Sequence, residues 1–190
     1  MTAPTTSGLT RGAARAELHA WVSNPALRHH MECVAACMEA YAVTLGLSDA
    51  DRERWFVCGL LHDLDWERHP TKEEHPRVGV AHLRGKGVDE EILVAIMGHA
   101  EYTGTPRESA MSKHLFACDE LAGFIVACGK VRPDGVQTLE PKSVEKKLKN
   151  AAFAAAVSRE DIANGLAGIG RTFEDHCGRS IEAIRGVQFQ

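Results

Sequence analysis

The sequence predicts an all-α protein, on three observations. Apolar residues recur at three- and four-residue spacing through most of the chain, capping residues alternate with Pro and Gly breaks, and no segment shows the strict alternation of a half-buried strand. With 190 residues, 44% of them hydrophobic and 25% charged, the chain has the size and balance of one substantial core with modest extensions.

Each helix has its own start and stop signals. Residues 1–9 are expected to be a flexible tail, after which Thr10 can cap a helix to about Val22 with Leu18 and Trp21 on its apolar edge. Asn24-Pro25 places a cap before a proline at the first helical position and opens a longer helix that Gly46 ends. Ser48 caps a third, whose apolar residues Trp55, Phe56, Cys58, Leu60 and Leu61 run directly into His62-Asp63. The polar stretch from Leu64 to Glu74, with Pro70, reads as a loop. His75-Pro76 opens a fourth helix, and a fifth runs from Asp89 to His99 with Ile92, Ala95 and Ile96 inward. After a loop holding Gly104 and Pro106, the most apolar helix is expected from Ser112 to about Gly129, with Asp119 near its centre. Beyond the turn Arg132-Pro133-Asp134-Gly135 come a short basic helix over 142–150 and two more, near 160–167 and 172–184.

Composition narrows the function. The net charge of −4 supplies no positive field to hold a nucleic-acid backbone, so nucleic acid is not a favoured partner. No apolar run approaches the roughly 20 residues of a membrane span, and the Thr/Ser/Pro-rich start does not read as a signal peptide, so a cytoplasmic protein is expected. The six cysteines include no CxxC pair; even Cys33 and Cys37, on one helix face, read as free core thiols.

Histidines and acids sent inward carry the chemistry. His30 shares a helix face with Val34, Met38 and Tyr41, the stripe that turns to the core. His62-Asp63 ends an apolar helix, His99 ends another, and Asp119 lies where an unpaired carboxylate would be costly. A shared cation would satisfy all of these segments, and imidazole with carboxylate suits Mn, Fe, Co, Ni or Zn, while carboxylate also suits Mg.

This spacing resembles the H…HD…D signature of the HD superfamily of metal-dependent phosphohydrolases, with His30, His62-Asp63 and Asp119 in the matching places. His75-Pro76-x-x-Gly79 and Gly98-His99 look like the two further histidines of members with binuclear centres. The segments HAEYTGTPRES, LAGFIVA, KVRP, KSVEKKLK and VSREDI are similar to a bacterial subgroup described as HD domain proteins or predicted hydrolases, so the resemblance covers roughly residues 24–184. It implies a helical bundle with a metal site in its core, residues 10–135 forming the HD core and 136–190 a helical extension of the same domain. It also implies one or two divalent ions held by His30, His62, Asp63, His75, His99 and Asp119. Both extra histidines favour two ions, with Asp63 bridging.

The expected reaction is hydrolysis of a small phosphorylated metabolite or nucleotide by a metal-bound hydroxide, and the sequence allows a homo-oligomer. A di-iron oxygenase of the myo-inositol or phosphonate-cleaving type uses the same ligand types, and a non-catalytic metal-binding or sensing module is a third reading. Many HD enzymes carry a lysine three residues after the HD aspartate where this chain has Trp66, and the HD-GYP loop is absent, so cyclic dinucleotide hydrolysis is unsupported. Around the ligands, Asp63, Glu101 and Arg132 are the candidate catalytic residues, with Arg107 as a further cation for an anionic substrate. Asp65 can orient a ligand imidazole or be a plain loop carboxylate, and Lys142, Lys146, Lys147 and Lys149 read as a solvated basic face. His29 is the weaker neighbour of His30, His82 reads as surface, and His19, His69, His114 and His176 have no motif support.

Overall fold

Hydroxyl, amide and carboxylate caps set most of the helix starts in the computed structural model, which describes residues 9–187. Thr10 caps α1 (Arg11–Trp21), Asn24 caps α2 (Pro25–Thr44) and Ser48 caps α3 (Asp49–Leu61), each by accepting a backbone N–H from the first turn. Helix α4 (Arg77–Gly85) follows the long loop, and Asp89 caps α5 (Glu90–His99). A 3-10 turn (Glu101–Thr103) leads to α6 (Ala110–Lys130), then come α7 (Pro141–Leu148), α8 (Arg159–Ile169) and α9 (Phe173–Arg185). No strand occurs among the described residues. The expected tail lies almost wholly outside them.

One boundary differs from the sequence expectation in an instructive way. Helix α6 is capped by Ser109 and not by Ser112, whose own amide donates to Ser109 Oγ at 3.1 Å. Two serines three apart offer the same cap signal, and the earlier one wins because the helix gains a turn of buried contact through Met111.

Helices α2 and α6 form the centre: α2 packs on α3, α6 and α9, while α6 packs on α5, α8 and α9. Residues from α1 through α9 feed one apolar core, and all six cysteines are buried free thiols within it. Buried His176 ties three of these helices together. Its Nε2–H donates to the Ala117 carbonyl at 2.9 Å and Tyr41 Oη–H donates to its Nδ1 at 2.5 Å. Burial lowers the His176 pKa to about 4, which keeps the ring in this neutral form.

The contact of α2 with α3 depends on Gly59. A Cβ there would lie 2.8 Å from Ala35 Cα and 2.9 Å from Val34 O, so the helices could not approach as closely. Gly59→Ala is therefore expected to destabilise the protein by about 1–3 kcal/mol. It should also weaken metal binding, because His62 follows three residues later. Denaturant unfolding and metal titration check this; unchanged stability would show that the helices separate at no cost.

Candidate metal centre

Five separate places in the fold deliver side chains to one point. His30 comes from the inward stripe of α2, His62 and Asp63 from the end of α3, His75 from just before α4, His99 from the last residue of α5, and Asp119 from the middle of α6. They form two neighbouring groups, His30–His62–Asp119 and Asp63–His75–His99.

Asp63 faces both. Its Oδ2 lies 3.5 Å from His62 Nε2 and 3.9 Å from His30 Nε2, while its Oδ1 lies 3.4 Å from His75 Nε2 and 3.3 Å from His99 Nε2. Within the first group, Asp119 Oδ1 is 3.0 Å from His30 Nε2 and 3.4 Å from His62 Nε2. Within the second, the two Nε2 atoms are 3.2 Å apart.

Hydrogen bonds behind the rings decide which nitrogen faces inward. His62 Nδ1–H donates to Gly59 O at 2.8 Å, His99 Nδ1–H to Ile96 O at 2.5 Å, and His75 Nδ1–H to Asp65 Oδ1 at 2.7 Å. With Nδ1 protonated in each neutral ring, Nε2 carries the lone pair. Lone pairs and carboxylate oxygens then converge at contact distance, an arrangement that a metal cation, or in its place protonation of the rings, makes attractive. The donor set of imidazole nitrogens and carboxylate oxygens thus fits divalent ions.

Electrostatics without an ion show how strongly these groups interact. Burial disfavours a charged His62, but Asp63 and Asp119 outweigh it and raise its pKa to about 9. Burial works against both carboxylates too, yet the histidines hold Asp63 and Asp119 well below the usual carboxylate range. Beside them, burial and the Asp119 charge raise Glu120 to about 7, against the Ser158 amide that donates to it at 3.0 Å.

The centre opens to a cleft of about 370 Å³ lined by His30, Asp63, His75, His99 and Asp119 together with Trp66, Glu101, Tyr102, Glu120, Val157 and Asp161 among others. Its charged lining is acidic, and no Arg or Lys contributes.

The expected surrounding residues divide sharply. Asp65 is buried, accepts from His75 and also accepts from the Gly79 amide at 2.6 Å, so it holds a candidate ligand in place. Glu101 lines the cleft with its carboxylate 2.7 Å from Arg107 Nη2. Arg107 itself lies behind the rim, donating to Gly98 O at 3.0 Å with its guanidinium 3.7 Å from the Phe116 ring centre. Arg132 is placed elsewhere. It does not line the cleft, because Asp134 at 3.4 Å and Thr138 Oγ1 at 2.5 Å hold it in the turn after α6. None of the four lysines lines the cleft either; Lys147 lies over Phe153.

His29 turns away toward Cys33 at 3.5 Å, and His82 pairs with Glu17 at 2.7 Å. Glu120, Tyr102, Val157 and Asp161 are cleft residues that sequence reasoning missed. For Glu120 the available signal was adjacency to Asp119. Asp161 belongs to α8, and no local pattern ties that helix to the others.

Known proteins agree with this reading of the fold. The family model "HD domain" matches residues 27–159. Ribonuclease Y of Oleidesulfovibrio alaskensis is 28% identical over 163 residues, covering 85% of this chain and 27% of its own length. Ribonuclease Y of Rhodopirellula baltica is 28% identical over 167 residues, covering 87% and 28% respectively. The chain thus spans little more than a quarter of the length of these relatives. No solved structure matches it. The matched span contains all the converging histidines and aspartates, and the chain belongs to the HD domain family, whose members are mostly metal-dependent hydrolases.

Proposed function

We propose that this chain hydrolyses a phosphate ester of a small metabolite or nucleotide with two divalent ions. His30, His62 and Asp119 hold one ion, His75 and His99 hold the other, and Asp63 is shared. The observation that carries the reading is the position of Asp63, with one oxygen turned to each group of ligands. When bound, the ions supply a water of lowered pKa and offset the charge developing on the phosphoryl group.

The chain's own residues supply the rest. Asp65 holds the His75 ring with Nε2 inward. Glu101, kept in place by Arg107, stands at the rim where it can accept a hydrogen bond from a substrate hydroxyl or a water. With only acidic charge and imidazole in the lining, the cleft repels a phosphate unless cations are bound, so recognition of the anion and binding of the ions are one function. Residues 10–135 form the working core in this reading and 136–190 an extension of it, with α8 contributing Asp161 to the cleft.

The test is turnover of Mn-, Mg- and Fe-loaded protein on phosphomonoesters, nucleotides and a short RNA, with and without oxygen. Phosphate release that persists under strict anaerobiosis is the expected result. Product formation that requires Fe and consumes oxygen would replace hydrolysis with the oxygenase reading.

A further inference from the structure

The cleft presents two chemically different surfaces. Its floor is the cluster of imidazoles and carboxylates; its rim is aromatic. Trp66 is 43% exposed and Tyr102 is 41% exposed, and both line this one cleft. A single exposed aromatic is ordinary on a protein surface. Here two of them come from different segments, one from the loop after α3 and one from the 3-10 turn after α5, and line the same cleft.

Each ring has a neighbour. Trp66 stands edge-on to the His75 ring, centroids 4.9 Å apart at 76°, and Lys72 Nζ lies 5.6 Å from the centre of the Tyr102 ring. An exposed flat ring packed against a neighbour, as Trp66 is against His75, offers a stacking face at reduced cost in ordering entropy.

Charge sets the second constraint. The cleft is lined by Asp63, Glu101, Asp119, Glu120 and Asp161 and by no Arg or Lys; Arg107 pairs with Glu101 from behind the rim and Lys72 stands by Tyr102. Bound ions can accept one phosphoryl group at the floor; a chain of phosphates would meet carboxylates. The volume of about 370 Å³ lies at the small end of ligand pockets, which start near ~300 Å³.

On the phosphohydrolase reading above, we infer that the substrate is a nucleoside monophosphate, with its phosphate at the ions and its base stacked on Trp66 and Tyr102. The aromatic rim then selects for the base, and the acidic lining selects against polyphosphates and longer strands.

The experiment uses the Mg- or Zn-loaded chain, followed by calorimetry, tryptophan fluorescence and phosphate release on addition of adenosine 5′-monophosphate, glycerol 3-phosphate and a short oligoribonucleotide. Trp66 reports on the cleft, because Trp55 is buried and Trp21 packs against His82, neither lining it. Adenosine monophosphate should change the emission and bind more tightly than glycerol phosphate. Trp66→Leu and Tyr102→Ala should each weaken the nucleotide by about 5- to 100-fold, the usual effect of losing one stacking ring; Tyr102→Ala should leave glycerol phosphate unchanged, and Trp66→Leu, whose ring packs on His75, should weaken it far less than the nucleotide. Trp66→Phe should keep most of the affinity.

Equal binding of the two esters, or equal weakening of both in the variants, overturns the stacking site. Tighter binding of the oligoribonucleotide overturns the restriction to one phosphate. Failure of the hydrolase reading looks different: nucleotide binding through Trp66 with no phosphate released from any ester. Hydrolysis of both esters with equal efficiency and no effect of the variants leaves the hydrolase standing and removes the base.

Discussion

On the proposed function, Asp63→Ala protein is expected to keep its helical content, lose both ions and lose phosphate release by a factor on the order of 10³ or more. The size follows from the several kcal/mol of charge stabilisation that bound ions supply, at about 1.4 kcal/mol per tenfold in rate. Among the described residues Asp63 is the one carboxylate within 4 Å of imidazoles from both groups, so its removal damages two sites at once. Asp119 contacts only His30 and His62 among the ligand histidines, and Asp119→Ala should cost mainly the ion on that side. Elemental analysis after dialysis, beside circular dichroism, reads the outcome. Asp63→Asn keeps the shape and one oxygen ligand, which separates loss of metal from loss of folding. Wild-type protein that is folded, metal-free and cannot be reloaded would remove the basis of the proposed function.

The second large effect belongs to the His75–His99 side. His99→Ala is expected to bind one ion in place of two, whereas Asp65→Ala keeps every candidate ligand and yet weakens that same ion by about 10- to 100-fold. The cause is orientation. Asp65 is buried, and its two oxygens accept from His75 Nδ1 and the Gly79 amide, so its loss frees the ring to turn and leaves two buried donors unpaired. Asp65→Asn retains an acceptor oxygen and should recover part of the affinity. Calorimetric titration resolves the two ions by stoichiometry. If His75→Ala and His99→Ala both leave the stoichiometry unchanged, these histidines serve substrate and not metal.

Much of this was legible in the chain itself. An all-helical fold followed from apolar spacing and caps, and among the described residues seven of nine α-helices start at a side-chain cap of the expected kind. The inward course of His30 followed from its stripe with Val34, Met38 and Tyr41, which the structure buries. The adjacency of His62 and Asp63 at a helix end, with the histidines and acid further along, was enough to name the family. Local periodicity reports which face of a helix avoids water, and that is information a sequence holds.

Which inward faces meet is decided only in three dimensions. Asp63 shares its two oxygens between groups because Gly59 lets α3 settle against α2 while α5 brings His99 from the other side. Asp65 was equally readable as a loop carboxylate, since a loop has no period; burial against His75 and Gly79 makes it a positioning residue. Arg132 follows the Asp119 helix closely in sequence, yet Asp134 and Thr138 retain it in the next turn, out of the cleft. The acidic lining and the aromatic rim draw on α6, α8 and two loops, and no spacing rule relates residues on separate elements. Sequence determined the helices and the candidate donors they carry; the packing of α2, α3, α5 and α6 determined that the donors converge as two joined groups, because convergence depends on contacts between elements.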